Sequence, residues 1–214
     1  MKREDSKRLK EKKQELLRLM KQKTKDLGYK TSNGYTYKFA SDFAYWVDYG
    51  LRFDDAMQLI LYANVYLKSL ELDKVYWDVF QIEDAERQPK SFHIYGAFTS
   101  SFAAAGISVK EAVSDGLEEA VTMVFERVGK GISDMEANVK SVSNYDDLVK
   151  NSPGGTMNHI LALIYKKDYD KAAETITEEQ EKGHSGGFAD SGGKTFYDYA
   201  LEHCKCSACI DICN

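Results

Sequence analysis

Residues 43–53 read FAYWVDYGLRF, and this stretch decides the fold class. Apolar side chains occupy every second position: Phe43, Tyr45, Val47, Tyr49, Leu51 and Phe53. Alternation with a period of two over about ten residues is typical of a β-strand with one buried face. We therefore predict a strand here, whose second face carries Ala44, Trp46, Asp48, Gly50 and Arg52.

The neighbouring segments extend this strand into a sheet. Residues 35–40 alternate in the same way, and residues 58–70 and 91–99 supply two further alternating runs. Residues 72–80 break the alternation and predict a short helix between the last two strands. Because the links between the strands are short, the sequence predicts a four-stranded antiparallel sheet.

Apolar residues at helical spacing dominate both ends of the chain. Residues 4–27 predict a basic N-terminal helix, because nearly all positions outside one leucine-rich stripe are charged or Gln. The pattern from Ser108 to Glu111 is typical of a helix start, and a stripe of valines follows it to Val128. Gly129 and Gly131 are predicted to end that helix before a second one at 132–142. The expected fold class is α+β, with an N-terminal helix, a four-stranded antiparallel sheet and a helical C-terminal half.

Four regions are expected along the chain. They are a basic N-terminal helix at 1–30, an antiparallel sheet region at 31–105, a helical region packed on the sheet at 106–203, and a Cys-rich tail at 204–214. The clearest break inside the helical region is the sequence NSPGG at 151–155.

A helical hairpin is predicted over residues 157–182. The run LALIY at 161–165 precedes Asp168, and Tyr169 then stands three residues before Ala172. This pattern resembles a single tetratricopeptide-type hairpin, in which a Tyr closes the first helix and a Tyr-x-x-Ala sequence opens the second. The chain has no second copy at the 34-residue period of such repeats, so the resemblance implies one hairpin and no repeat array.

Charge is unevenly distributed. Residues 1–30 contain 12 Lys or Arg and 5 Asp or Glu, a net charge of +7, whereas the remaining residues contain 17 and 29, a net charge of −12. An acidic body is a poor ligand for nucleic acid, because phosphate contacts need clustered basic residues. The expected partner is therefore another protein, with a basic surface, and no nucleic acid.

Targeting features are not recognised in the sequence. The basic N-terminus is not followed by the apolar run of a signal peptide, and no stretch approaches 18 apolar residues. We expect no membrane span and a cytoplasmic location, where thiols stay reduced.

The second face of the predicted sheet is the candidate binding site. It would combine aromatic and polar side chains, which recognition surfaces use because rigid rings bury area while polar atoms fix orientation. The alternative is that the helices after residue 105 cover this face and make it a second core layer. The candidate residues are Trp46, Asp48, Arg52, Tyr62, Tyr66, His93 and Tyr95.

All four cysteines fall in the last eleven residues, at Cys204, Cys206, Cys209 and Cys213. Four thiolates suit the tetrahedral demand of Zn²⁺, although structural zinc sites usually combine two separated pairs. The alternative is a terminal helix whose apolar stripe includes Tyr199, His203 and Cys206. Cys204 and Cys206 point in different directions on a helix, so a continuous helix and a four-thiolate site exclude each other.

The segment GFADSGGKT at 187–195 comes close to a phosphate-binding loop, but its first glycine is one residue too far from the Gly-Lys-Thr sequence. We interpret it as a polar loop.

No residue set combines a nucleophile, a base and an orienting carboxylate. The expected function is a non-enzymatic protein–protein interaction module of immunity or adaptor type, without a cofactor. The alternative is a metal-dependent regulator or enzyme that binds zinc at the four cysteines.

Overall fold

The computed structural model describes residues 3–32, 35–96, 99–114, 116–152 and 154–213, and their side chains apart from those of residues 3–5, 26, 32, 35, 86, 95 and 208–213. The strands are β1 (Lys30–Ser32), β2 (Tyr35–Ala40), β3 (Phe43–Phe53), β4 (Leu59–Ser69) and β5 (Ala103–Ala112). The helices are α1 (Arg3–Asp26), α2 (Leu70–Val79), α3 (Phe92–Tyr95), α4 (Leu117–Asn138), α5 (Val142–Val149), α6 (Gly155–Tyr165), α7 (Tyr169–Glu181) and α8 (Phe196–Cys213).

Contacts between residues divide the chain into two compact units. Unit 1 comprises Met1–Leu67 and Ala104–Lys140, and unit 2 comprises Lys68–Ala103 and Ser141–Asn214. The first segment of unit 2 is therefore an insertion in the sequence of unit 1, from the end of β4 to the start of β5. Net charge differs between the units: unit 1 has 18 Lys or Arg and 16 Asp or Glu, and unit 2 has 11 and 18.

The fold is α+β, as expected, but its antiparallel sheet has five strands instead of four. The strands follow one another in the order β1-β2-β3-β4-β5. Tyr37 pairs with Trp46, and Lys38 pairs with Tyr45, which sets the register of β2 on β3. The predicted strands at 35–40, 43–53 and 58–70 and the short helix after them are confirmed.

One predicted strand and one predicted helix start were wrong. Residues 91–99 do not form a strand, because their described part contains the one-turn helix α3. Residues 103–112, expected to enter a helix at Ser108, form β5 instead. The backbone N–H of Val113 donates to the carbonyl oxygen of Leu59 at 2.8 Å, which extends the pairing with β4 just beyond the strand end. Pairing along β4 thus outweighs the local capping pattern.

The inner face of the sheet carries the core of unit 1. Val47, Leu61 and Val65 are buried there, and α4 covers this face with Val121, Val124 and Val128. Phe125 of α4 stacks on Tyr49 with ring centroids 5.2 Å apart. Helix α1 packs against α4, β1 and β3. Both long helices of unit 1 therefore belong to one side of its sheet.

Helix α4 runs through the two glycines that were predicted to end it. A Cβ atom at Gly131 would come within 2.9 Å of the Cδ1 atom of Ile107 in β5, so glycine permits close approach of helix and strand here. The prediction of a helix end failed because this glycine serves tertiary packing.

Unit 2 is helical. Helix α6 packs on α2, α5 and α7, and α8 packs on α7 and α2. The rings of Tyr76 and Phe196 lie stacked, with centroids 5.6 Å apart and planes inclined by 8°. The helices expected for the hairpin correspond to α6 and α7. Among the described residues, no helix combines the length and the apolar character that crossing a membrane requires.

Candidate functional site

The strongest candidate surface is the outer face of the sheet in unit 1, opposite the side that α4 covers. We define the outer face by Trp46, Asp48 and Arg52 of β3 and by Tyr62 and Tyr66 of β4. All five were predicted to share one side, and the alternating burial along β3 and β4 places them there. Trp46, Asp48, Tyr62 and Tyr66 are half-buried and Arg52 is exposed.

Contacts between strands hold the outer face in one arrangement. The rings of Trp46 and Tyr66 lie 6.2 Å apart, and the guanidinium carbon of Arg52 lies 5.6 Å from the ring centroid of Tyr62. A Cβ atom at Gly50 would overlap the ring and hydroxyl of Tyr62, so the absence of a side chain at Gly50 lets this ring lie against β3. The aromatic groups are therefore preorganised, which lowers the entropy lost on binding.

Asp48 is the acidic residue of the outer face. Burial raises the pKa of its carboxyl above the ordinary value. Among the described residues no cation forms an ion pair with Asp48. Burial thus removes part of the hydration of the carboxylate, and no cation of the described residues compensates for it.

His93 and Tyr95 do not belong to the outer face, because they lie on α3 in unit 2 and not on a strand. The side chain of Tyr95 is outside the described residues. The His93 Nδ1 atom lies 2.7 Å from the Asp73 Oδ2 atom, and its ring packs 5.0 Å from that of Trp77. His93 therefore packs on α2, whereas the alternation of residues around it had predicted a position on a strand.

A buried polar cluster in unit 2 was missed by sequence reasoning. Lys68 and Asp73 have side-chain exposures of 1% and 0%, and the Lys68 Nζ atom lies 3.0 Å from the Asp73 Oδ2 atom. The Ser100 backbone N–H and hydroxyl donate to the Asp73 Oδ1 atom at 2.7 and 2.6 Å. Lys68 also donates to the carbonyl oxygens of Ser100 and His93. The one available signal was a lysine inside the apolar run of β4.

The cluster is arranged for stability. Burial lowers the pKa of Lys68, and the neighbouring Asp73 carboxylate opposes that shift. The Ser100 hydroxyl donates to Asp73 and not to His93, so the contacts described lack the serine–histidine link of a nucleophile and its base. Asp73 instead pairs with buried Lys68 and Ser100 and with half-buried His93, which belong to three separate segments of unit 2.

The C-terminal cysteines lie on a continuous helix, and a separate Cys-rich tail is not borne out. Cys204 is 2% exposed, whereas Cys206 is exposed. The predicted apolar stripe through Cys206 was therefore wrong, and the buried face instead contains Phe196, Ala200 and Cys204 at four-residue spacing. The side chains of Cys209 and Cys213 lie outside the described residues. Within the described part of the chain, no three His, Cys, Asp or Glu side chains form a potential metal site.

Alkylation should distinguish the two described cysteines. Burial raises the pKa of the Cys204 thiol to about 11, so the reactive thiolate is scarce and shielded. We expect iodoacetamide at about pH 8 to modify Cys206 at least tenfold faster than Cys204. Mass spectrometry of tryptic peptides measures both rates, because cleavage after Lys205 separates them. As the control, the two rates should become equal in urea. Equal rates in the folded protein would contradict the burial of Cys204.

The loop at 187–195 is held by its own acidic residue. The Asp190 Oδ1 atom accepts hydrogen bonds from the backbone N–H groups of Gly192 and Lys194 at 2.8 and 2.9 Å. The Lys194 ammonium pairs with Glu202 at 2.6 Å. The donors that a phosphate would need are thus used internally, in agreement with the interpretation as a polar loop.

Comparison of the chain with protein-family models, with curated proteins and with solved structures finds no match.

Proposed function

We propose that the protein is a binding module that recognises another protein through the outer face, with a Lys or Arg side chain of the partner placed against Asp48. The single observation that carries this proposal is the half-buried Asp48 carboxylate, which has no ion-pair partner among the described residues and stands in an aromatic surface. A partner's cation would supply the missing countercharge, and charge-assisted hydrogen bonds are stronger than neutral ones.

The surroundings of Asp48 support the same chemistry. Trp46, Tyr62 and Tyr66 supply the large rigid rings that contribute most to binding energy at protein interfaces. Asp42 and Asp55 stand in the turns at the two ends of β3 and are exposed. They add negative charge around the surface and would steer a basic partner toward it.

Site-specific photo-crosslinking tests the proposal. Benzoylphenylalanine replaces Tyr66 on the outer face or, as the matched control, the exposed Tyr165 of unit 2. Each protein is irradiated in the cells that produce it, and crosslinked partners are quantified by mass spectrometry. We expect a partner that crosslinks at position 66 and not at position 165. The Asp48→Asn exchange should reduce this crosslink at least tenfold, whereas Asp42→Asn should leave it within about twofold.

Titration of the purified partner completes the test. We expect Trp46→Ala to weaken binding by about 2 kcal/mol, roughly 30-fold, as the loss of a central aromatic anchor does. Circular dichroism establishes that the variants remain folded. Identical crosslinks at positions 66 and 165, or full binding by folded Asp48→Asn and Trp46→Ala, would exclude the outer face as the binding surface.

A further inference from the structure

A second site is suggested by a cavity in unit 1, on the helical side of its sheet. The cavity has a volume of about 420 Å³ and opens where the C-terminal end of α1, the segment before β1, β2 and α4 meet. Volumes of roughly 300–1,000 Å³ are typical of sites for small molecules. The lining residues used below are Lys23, Tyr29, Lys38, Phe125, Gly129 and Lys130.

The lining carries an excess of positive charge. The described lining residues include three lysines but only one acidic residue, Glu126. The Lys38 ammonium is already bound to Glu136 at 2.7 Å. Lys23 and Lys130, in contrast, form no ion pair with any described side chain. Two ammonium groups are therefore available for an anion.

Two aromatic side chains, Phe125 and Tyr29, form a wall of the same cavity. Phe125 is buried and stacks on Tyr49, with planes inclined by 17°, so its position is defined. Tyr29 is half-buried, and burial together with the negative charge of Glu136 raises the pKa of its hydroxyl. Its hydroxyl thus stays protonated at neutral pH and can donate a hydrogen bond. This wall suits a flat apolar group that carries a polar substituent.

Gly129 keeps one side of the cavity open. Glycine is unfavourable inside a helix, and at Gly131 close packing against Ile107 explains it. No such packing exists at Gly129, because a Cβ atom there would meet no described heavy atom within 4 Å. Any side chain at this position would instead extend into space at the cavity wall. The glycine therefore preserves room that folding alone does not require.

We propose that this cavity binds a small organic anion, with a carboxylate, sulfonate or phosphate group between Lys23 and Lys130 and a planar apolar body against Phe125 and Tyr29. The site is separate from the outer face, so neither proposal depends on the other.

Fluorescence titration with 8-anilinonaphthalene-1-sulfonate tests the site, because this probe is an aromatic anion whose emission rises in apolar surroundings. We expect saturable binding to one site on the folded protein. The double exchange Lys23→Gln and Lys130→Gln should weaken it at least tenfold, and the matched exchange of two exposed α1 lysines outside the cavity, Lys13→Gln and Lys21→Gln, should change it less than about twofold. 1-Naphthoate should displace the probe, and neutral 1-naphthalenemethanol at equal concentration should not.

Variants at Gly129 test the shape of the site. Gly129→Leu should abolish probe binding by filling the cavity, whereas Gly129→Ala should raise the melting temperature because alanine favours the helix. If Gly129→Leu fails to fold, the lysine variants decide the question alone. Unchanged binding by the folded lysine double variant, equal competition by the neutral alcohol, or no saturable binding of either anion would overturn the proposal.

Discussion

Replacement of Asp73 by alanine is expected to lower the free energy of unfolding of unit 2 by about 3–5 kcal/mol. The change leaves the Lys68 ammonium buried without its carboxylate and removes the acceptor for both donors of Ser100. An unpaired buried charge costs far more than the pair itself contributes. Urea denaturation followed by circular dichroism and by hydrogen exchange of α2 amides measures the loss.

Two controls separate this effect from simple truncation. Glu71→Ala removes the Glu71–Lys74 ion pair on the same helix, in which Lys74 is exposed and Glu71 half-buried, and should cost less than about 1 kcal/mol. The double exchange Lys68→Met and Asp73→Asn removes both charges and should cost less than Asp73→Ala alone. If Asp73→Ala is no more destabilising than Glu71→Ala, the cluster does not stabilise unit 2 as described.

Replacement of Gly155 by alanine is expected to lower the free energy of unfolding by about 3 kcal/mol, near the upper end for overpacking. A Cβ atom at this position would overlap the carbonyl oxygen of Val149. That oxygen is held by the backbone N–H and the hydroxyl of Ser152 at 2.8 and 2.7 Å, so it cannot retreat without breaking the turn between α5 and α6.

The same exchange at Gly129 is the matched control. Gly129 also lies in a helix, but no described atom would contact its added Cβ atom, so Gly129→Ala should raise the free energy of unfolding by about 1 kcal/mol. Urea denaturation of both variants shows directly whether each exchange lowers or raises the free energy of unfolding. A gain in stability for Gly155→Ala would show that the turn before α6 is built differently.

The residues of the outer face could be predicted because one short-range property places them. In a pleated strand, side chains two residues apart share a face, so the alternation in residues 43–53 and 58–70 was enough to group Trp46, Asp48 and Tyr66. His93 was misplaced because the run around it is too short to separate strand from helix, and its contact with Asp73 lies twenty residues away in the chain.

Strand β5 was missed for a related reason. Its inner face carries small residues, Ala103 and Ala105, which give a weak alternating signal, whereas Ser108 and Glu111 imitate a helix start. Pairing with β4 satisfies the backbone donors and acceptors of this segment. That hydrogen bonding is nonlocal, and it outweighs the local preference.

By itself, the sequence determined the α+β class, the central strands, the acidic body and one face of the sheet. These follow from residue periodicity and composition, which act over a few neighbouring positions. Only the tertiary structure decided that Lys68, Asp73 and Ser100 meet in a buried cluster, that Cys204 faces inward, and that a cavity opens beside α4 with two lysines that form no ion pair with a described side chain. Such groupings depend on which distant segments pack together, because burial and charge pairing are properties of spatial neighbours and not of neighbours along the chain.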